Sequence, residues 1–362
     1  MTPAELSRTV LRSVRGAVEE QELSVPVPAR IVVQPPPRPG CGDYASNVAL
    51  QLAGQAGRPA LEVAEILRKR LSGSAGIARV EIAGPGFLNF TLGDGAQVAL
   101  VREVLAQGAS YGRPDRSDTR SHGGPGQPAA EQSPAAPAPA RGAREAVVAE
   151  ALARIDAVAG SAGRRAAVPG EHPALVPAPY DLATLIARLG VDEARWVLLR
   201  PAAQDPVRVP ERPVQRESNP RFRVQYAYAR ARALGRYARE LGFGSEPGDV
   251  GVPVSGQVAG DGPSSAGSAA AAQTLHSFHT FLATYPSVLE TAARLRAPDR
   301  VVRHLEATAD AFFRWHDCYP PLPVGEQKPL AVHRARLALA EAGRTVLANG
   351  LRLLGISAPE HL

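Results

Sequence analysis

The feature that most constrains this chain is a long stretch without the means to build a core. Residues 114–168 are rich in Pro, Gly, Ser and Ala, as in His122-Gly123-Gly124-Pro125-Gly126 and Ser133 to Ala140. Such a composition buries too little apolar surface to offset the entropy of ordering the backbone, so it reads as a linker. Within it only Ala143 to Gly160 carries a helical pattern, with Val148, Leu152, Ile155 and Ala159 on one face. A chain of 362 residues interrupted in this way cannot share one uniform architecture and is read as two folded units.

The first unit, residues 1–113, mixes both periodicities. Leu6, Val10, Leu11, Val14 and Val18 recur at helical spacing, and Arg30 to Gln34 forms a short strand candidate closed by Pro35-Pro36-Pro37. Asp43 is a candidate cap for a helix carrying Val48, Ala49 and Leu52, and Pro59 opens another carrying Val63, Ile66, Leu67 and Leu71. Ile77 to Ala83 and Phe87 to Leu92 read as strands bent apart at Gly84-Pro85-Gly86, and Asp94 starts a last helix.

The second unit, residues 169–362, is helical throughout. Asp181 and Gly190 bracket a short helix, Asp192 begins another that ends at Pro201, and Asn219-Pro220 is a strong start signal for a long one reaching about Gly242. A second low-complexity stretch, 244–268, reads as a disordered insertion before the remaining helices. The expected class is therefore α+β, a small N-terminal α/β domain followed by an all-α bundle.

Charge narrows the partners. The net charge is +6 and is carried by arginine, because Lys69 and Lys328 are the only lysines, which favours a polyanion. Cys41 and Cys318 are too few for a disulfide framework or a cysteine-built zinc site, and His304, His316 and His333 are spread over separate helices without metal-ligand spacing. No metal, cofactor or catalytic residue is expected. Arg8, Arg12 and Arg15 interrupt the first apolar run, so it is not a signal peptide, and no run approaches the ~20 apolar residues of a membrane span. A cytoplasmic protein without a membrane partner is expected.

Two phrases in the first unit, Gly42-Asp43-Tyr44-Ala45-Ser46-Asn47-Val48-Ala49 and Ile82-Ala83-Gly84-Pro85-Gly86-Phe87-Leu88-Asn89-Phe90, resemble the additional N-terminal domain of arginyl-tRNA synthetases. In the second unit, Leu185 to Leu199, Asn219 to Arg230 and Asn349 to Glu360 resemble the anticodon-binding helical domain of the same family and the segment leading into it. The matches follow the family's order. Its middle does not: neither the His-x-Gly-His nor the Lys-Met-Ser-Lys phrase of the class I nucleotide fold occurs, Met1 is the sole methionine, and neither lysine lies near Ser161 to Val168. A doubly wound nucleotide domain needs at least ~100 residues of alternating strands and helices, which the linker does not supply.

The resemblance implies a tRNA-binding protein whose partner is an arginine-accepting tRNA, without an aminoacylation site of its own. It implies contacts at Tyr44 and Asn47 in the first phrase. In the strand Phe87 to Leu92, alternation sends Leu88, Phe90 and Leu92 to one face and Phe87, Asn89 and Thr91 to the other. Phe87 and Asn89 then either meet unpaired bases together, as the resemblance to a D-arm-binding domain implies, or Phe87 plugs a helix against the sheet. On the long helix Val224, Ala227, Ala231, Leu234, Ala238 and Leu241 form the expected buried stripe. That leaves Arg221, Arg223, Arg230 and Arg232 for phosphates or for solvent, while Gln225 and Tyr226 match the family's phrase. The final residues His361 and Leu362 stand where the family carries an anticodon-proximal Arg-Met. A flexible linker of this length spans roughly 40 Å, enough for two modules to hold one tRNA at separated points. Two alternatives remain: a subunit that docks on a protein partner and presents arginyl-tRNA to it, and an arginine–tRNA ligase whose activity is completed in trans.

Overall fold

A computed structural model describes residues 1, 3–36, 41–93, 95–113, 142–159, 174–212, 215–216, 218–253 and 265–361. Most of the 114–168 linker, the helix-start candidate Asp94, and Leu362 lie outside these residues. The class is α+β, with one small antiparallel sheet near the N-terminus and helices elsewhere.

The first unit runs α1 (Pro3–Glu19), β1 (Tyr44–Ser46), α2 (Val48–Ala56), α3 (Ala60–Leu71), β2 (Ile77–Ala83), β3 (Phe87–Leu92) and α4 (Gly95–Gln107). The sheet order is β1-β3-β2, with Ser46 and Ile82 both opposite Leu88 of the central strand. Leu88 and Phe90 are fully buried with Leu6, Val10 and Val14 of α1 and Val63, Leu67 and Leu71 of α3. Two local expectations differ from this arrangement. Arg30 to Gln34 is not a strand, since its only ladder contact is the bridge from Gln34 to Ala45. Asp43 does not cap a helix: its carboxylate accepts from the Leu92 amide at 2.7 Å, and α2 starts beyond Asn47. The three-residue strand Tyr44–Ser46, fixed by pairing with β3, takes the place the cap was given.

The helical unit comprises α5 (Ala143–Ala159), α6 (Leu182–Leu189), α7 (Val191–Leu199), α8 (Pro220–Glu240), α9 (Ser265–Leu295), α10 (Asp299–Cys318) and α11 (Ala331–Leu354). Gly190 both ends α6 and starts α7, and its φ of 79° makes glycine the residue that fits this corner. Phe278, Phe312 and Trp315 centre the core, with Phe278 stacked on Trp315 at 5.2 Å. Gly350 lets α11 approach α10 closely, because a Cβ there would stand 2.4 Å from Leu305 Cδ2. Gly350→Ala is expected to destabilise by about 1–3 kcal/mol through overpacking. A denaturation midpoint equal to that of the wild type would show that the seam is slack.

Two segments read as low-complexity are held by buried arginines. Arg144, 1% exposed at the start of α5, donates to the carbonyls of Val176, Pro201, Ala202, Ala203 and Asp205 at 2.7–3.2 Å. So α5, placed by sequence inside a linker, is tied into the helical unit and buries Val147, Leu152 and Ile155 there. Arg336 donates to Val250 O at 2.9 Å and Val252 O at 2.7 Å, which fastens residues 244–253 of the expected disordered insertion onto α11. Ser265 onward already belongs to α9, and 254–264 lie outside the described residues. Five carbonyls on one guanidinium satisfy loop groups that a helical pattern does not reveal.

The two units also touch. The Tyr111 hydroxyl donates to Leu282 O at 2.9 Å and its ring stacks on Tyr285, while Asn349 and Arg352 of α11 donate to the carbonyls of Gly108 and Ala109. Asp43 pairs with His276 at 3.3 Å, Arg30 pairs with Glu290, and the buried apolar side chains form one continuous cluster. This packing replaces the picture of two modules joined only by a flexible tether.

Candidate nucleic-acid interface

Helix α8 organises the site because each of its faces has a different task. Asn219 caps it, accepting from the amides of Arg221 and Phe222, and Pro220 fits the first turn. The stripe Val224, Ala227, Ala231, Leu234 and Ala238 is buried, whereas Leu241, expected in it, is exposed past the helix end.

Arg221 and Gln225, which sequence offered to RNA, face inward. The Arg221 guanidinium donates to the buried Glu193 of α7 at 2.6 Å and to the Gln225 side-chain oxygen. The Gln225 amide donates to Asp192 and to Ser357 O, both at 2.9 Å. Asp192 in turn accepts from the Ser357 amide at 3.0 Å. These two side chains lock α7, α8 and the segment after α11 together and have no surface to offer a ligand.

The adjacent face, toward α10, is an aromatic strip edged with cations. Phe222, Tyr226 and Phe313 are half-buried and stacked in series, with ring centroids 6.0 and 5.4 Å apart and planes within 26°. Arg223 lies 4.9 Å over the Phe313 ring and pairs with Asp310. Arg230 is exposed one helical turn beyond Tyr226, near enough to His316 that its charge, after burial, helps hold that imidazole below its ordinary pKa. Arg232 pairs with Glu360, which brings the exposed His361 alongside. Phe313 and Asp310 were not among the residues sequence singled out. A usable signal existed: Phe312-Phe313 is an aromatic pair on one helix, and its two side chains leave the axis about 100° apart, so they face different neighbours.

In the first unit the expected residues separate. Phe87 is 39% exposed at the β2–β3 turn, whose Gly86 packs against Ala60 at the start of α3. Asn89 is buried: its strand is central, and Ala45 and Glu81 flank it on both sides. Tyr44 is buried as well, and desolvation raises its phenol pKa. Asn47 is half-buried at the start of α2. Of the four, Phe87 is the one exposed at the surface.

The histidines have structural surroundings. His304 is buried between Phe281 and Tyr285, His333 accepts the Leu330 amide at the start of α11, and His316 lies beside Asp317. Among the described residues no three His, Cys, Asp or Glu converge as a metal-binding set, and no helix is long and apolar enough to cross a membrane.

Residues 8–92 match the Arginyl tRNA synthetase N terminal domain, and residues 224–362 match the DALR anticodon binding domain. The aromatic strip begins at the edge of that second match. An arginine–tRNA ligase of Frankia alni is 26% identical over 573 aligned positions covering 100% of both chains. One from Paenarthrobacter aurescens is 39% identical over 184 residues, 50% of this chain and 30% of that protein. The solved arginyl-tRNA synthetase of Thermus thermophilus shares the fold with a TM-score of 0.56 at 15% identity, covering 100% of each chain. With both terminal domains present in order and a relative aligned across its whole length, this chain belongs to the arginyl-tRNA synthetase family.

Proposed function

We propose that the protein binds an arginine-accepting tRNA without activating arginine itself. The observation that carries the binding is the strip Phe222–Tyr226–Phe313 with Arg223 and Arg230 at its edges. Stacked half-exposed rings offer platforms to unpaired bases, and neighbouring arginines meet the phosphates that connect them. Phe87 is the second contact, and Arg232 with His361 is a third, on the face of α8 that meets the C-terminal segment.

What speaks against activation is the sequence between the two matched domains. Neither phosphate-stabilising phrase of the class I fold is present, and the two lysines, Lys69 and Lys328, lie inside the flanking units. The alignment with the Frankia ligase runs over 573 positions against 362 residues here, so more than a third of its positions face no residue of this chain. A second reading, that the chain is itself an arginine–tRNA ligase, is favoured by the same alignment's reach across 100% of both proteins.

ATP–pyrophosphate exchange with arginine separates the two. No exchange is expected, and measurable turnover by the purified chain would establish the second reading. For binding, Tyr226→Ala is expected to weaken tRNA affinity by about 10- to 100-fold, the worth of one or two lost base stacks. A filter-binding titration showing equal affinity for tRNA and an unrelated RNA duplex would refute the tRNA reading.

A further inference from the structure

An open groove of about 1170 Å³ runs along α1 on the first unit, bounded on its other side by Arg70 and the turn Ser74 to Gly76. Arg8, Arg12 and Arg15 line it from one exposed face of α1, at the spacing that puts them in a row. The hydroxyl residues Thr9, Ser13 and Ser74 lie among them. Arg12 is steadied by donating to the Thr9 hydroxyl at 3.2 Å. Arg70 belongs to the groove's frame, since Glu20 and Glu22 hold its guanidinium. Glu5 is the one carboxylate in the lining.

We infer that this groove is a phosphodiester site that takes the backbone of a folded RNA. It rests on the tRNA-binding reading and adds a contact that neither the strip nor Phe87 supplies. Arginines with interleaved hydroxyls match phosphate oxygens, whereas the lining lacks exposed aromatics that would select bases. Arg8 to Arg15 covers about 10 Å of helix axis, the rise of roughly three phosphates in one duplex strand. The groove sits at the C-terminal end of α3 and Phe87 at its N-terminal end. That helix has 12 residues, which separates the two contacts by roughly 18 Å. A single RNA stem is long enough to reach both.

The test is a salt-dependent titration of the full chain with tRNA and with an unrelated RNA duplex. Arg12→Gln with Arg15→Gln is compared with Arg58→Gln and Arg79→Gln, two exposed arginines of the same unit outside the groove. The groove pair is expected to weaken binding several-fold and to lower the slope of log affinity against log salt by about 1 to 2, with a far smaller change from the control pair. An unchanged slope overturns the groove while leaving the tRNA reading intact. Equal losses from both pairs overturn it too, since they would reflect bulk charge. A slope loss on both RNAs without preference for tRNA supports the groove and removes the tRNA reading, and no binding to either RNA removes both. If only an acidic protein, and no RNA, loses affinity with the groove variant, the site is a protein-docking surface and the inference is wrong.

Discussion

Glu193→Ala is expected to destabilise the protein by about 3–5 kcal/mol, because it strands a buried guanidinium without its counter-charge. Glu193 is 4% exposed and accepts from Arg221 Nε at 2.6 Å and from the Asn219 side-chain amide at 2.9 Å. Removing it therefore disturbs the cap of α8 as well as the ion pair. The double variant Glu193→Ala, Arg221→Met is expected to be more stable than the single one, since no unpaired charge is then left inside. Urea unfolding of the three proteins measures this. A single variant within about 1 kcal/mol of the wild type would mean that Arg221 finds water, contrary to its burial. The consequence for binding is specific: Phe222 and Arg223 follow Arg221 in the first turn of α8, so a frayed turn lowers tRNA affinity even though Glu193 touches no ligand.

This network also marks the limit of what the sequence disclosed. Capping and periodicity were legible where the signal is local: Asp181 caps α6 and accepts from the Thr184 amide at 2.8 Å, Asn219-Pro220 opens α8, and Leu6, Val10 and Val14 are core. Alternation put Phe87 on the face away from Leu88 and Phe90 but left open whether it was exposed or plugged a helix, and it is exposed. The burial of Arg221 and Gln225 did not, because a long polar side chain on a helix reads as surface unless its partners are known. Those partners are Glu193 on another helix, Asp192, and Ser357 at the far end of the chain. Asn89 misled for a related reason, since alternation assigns a face but not whether neighbouring strands close over it. Arg144 and Arg336 hold loop carbonyls supplied by residues remote in sequence, and nothing in the pattern of a Pro- and Gly-rich stretch announces such a clamp. Docking of the two units through Tyr111 and Asn349 was hidden in the same way. Family resemblance pointed to α8 as the candidate interface. The strip that α8 shares with Phe313 needed the packing of α8 on α10.

The protein is expected to lose stability as pH falls from about 6.5 toward 4, a window that opens above the ordinary carboxylate range. His279 and His304 are buried, and desolvation lowers both imidazoles from about 6.5 to about 4. His279 donates from Nδ1 to Leu275 O at 3.0 Å and lies near Asp43 and His276, where the two units meet. His304 is enclosed by Phe281 and Tyr285, and its Nε2 has no hydrogen-bond partner among the described residues. Both histidines stay neutral in the folded state at a pH where the unfolded chain has already protonated them. Their contribution is therefore complete above about pH 6.5 and is lost as pH falls toward 4, with each ring taking up a proton on unfolding. Each histidine then removes about 1.4 kcal/mol per pH unit, or roughly 3 kcal/mol across the window. Together they remove on the order of 6 kcal/mol, a large part of a domain's stability. Denaturant melts at pH 7 and pH 5 test the slope, and His304→Leu is expected to reduce it by up to one proton. A slope unaltered by that substitution would show that the imidazole reaches solvent in the native protein. The loss of stability near His279 bears on function as well, because the contacts it adjoins fix the first unit, with Phe87 and the arginine groove, against the helices that carry Tyr226.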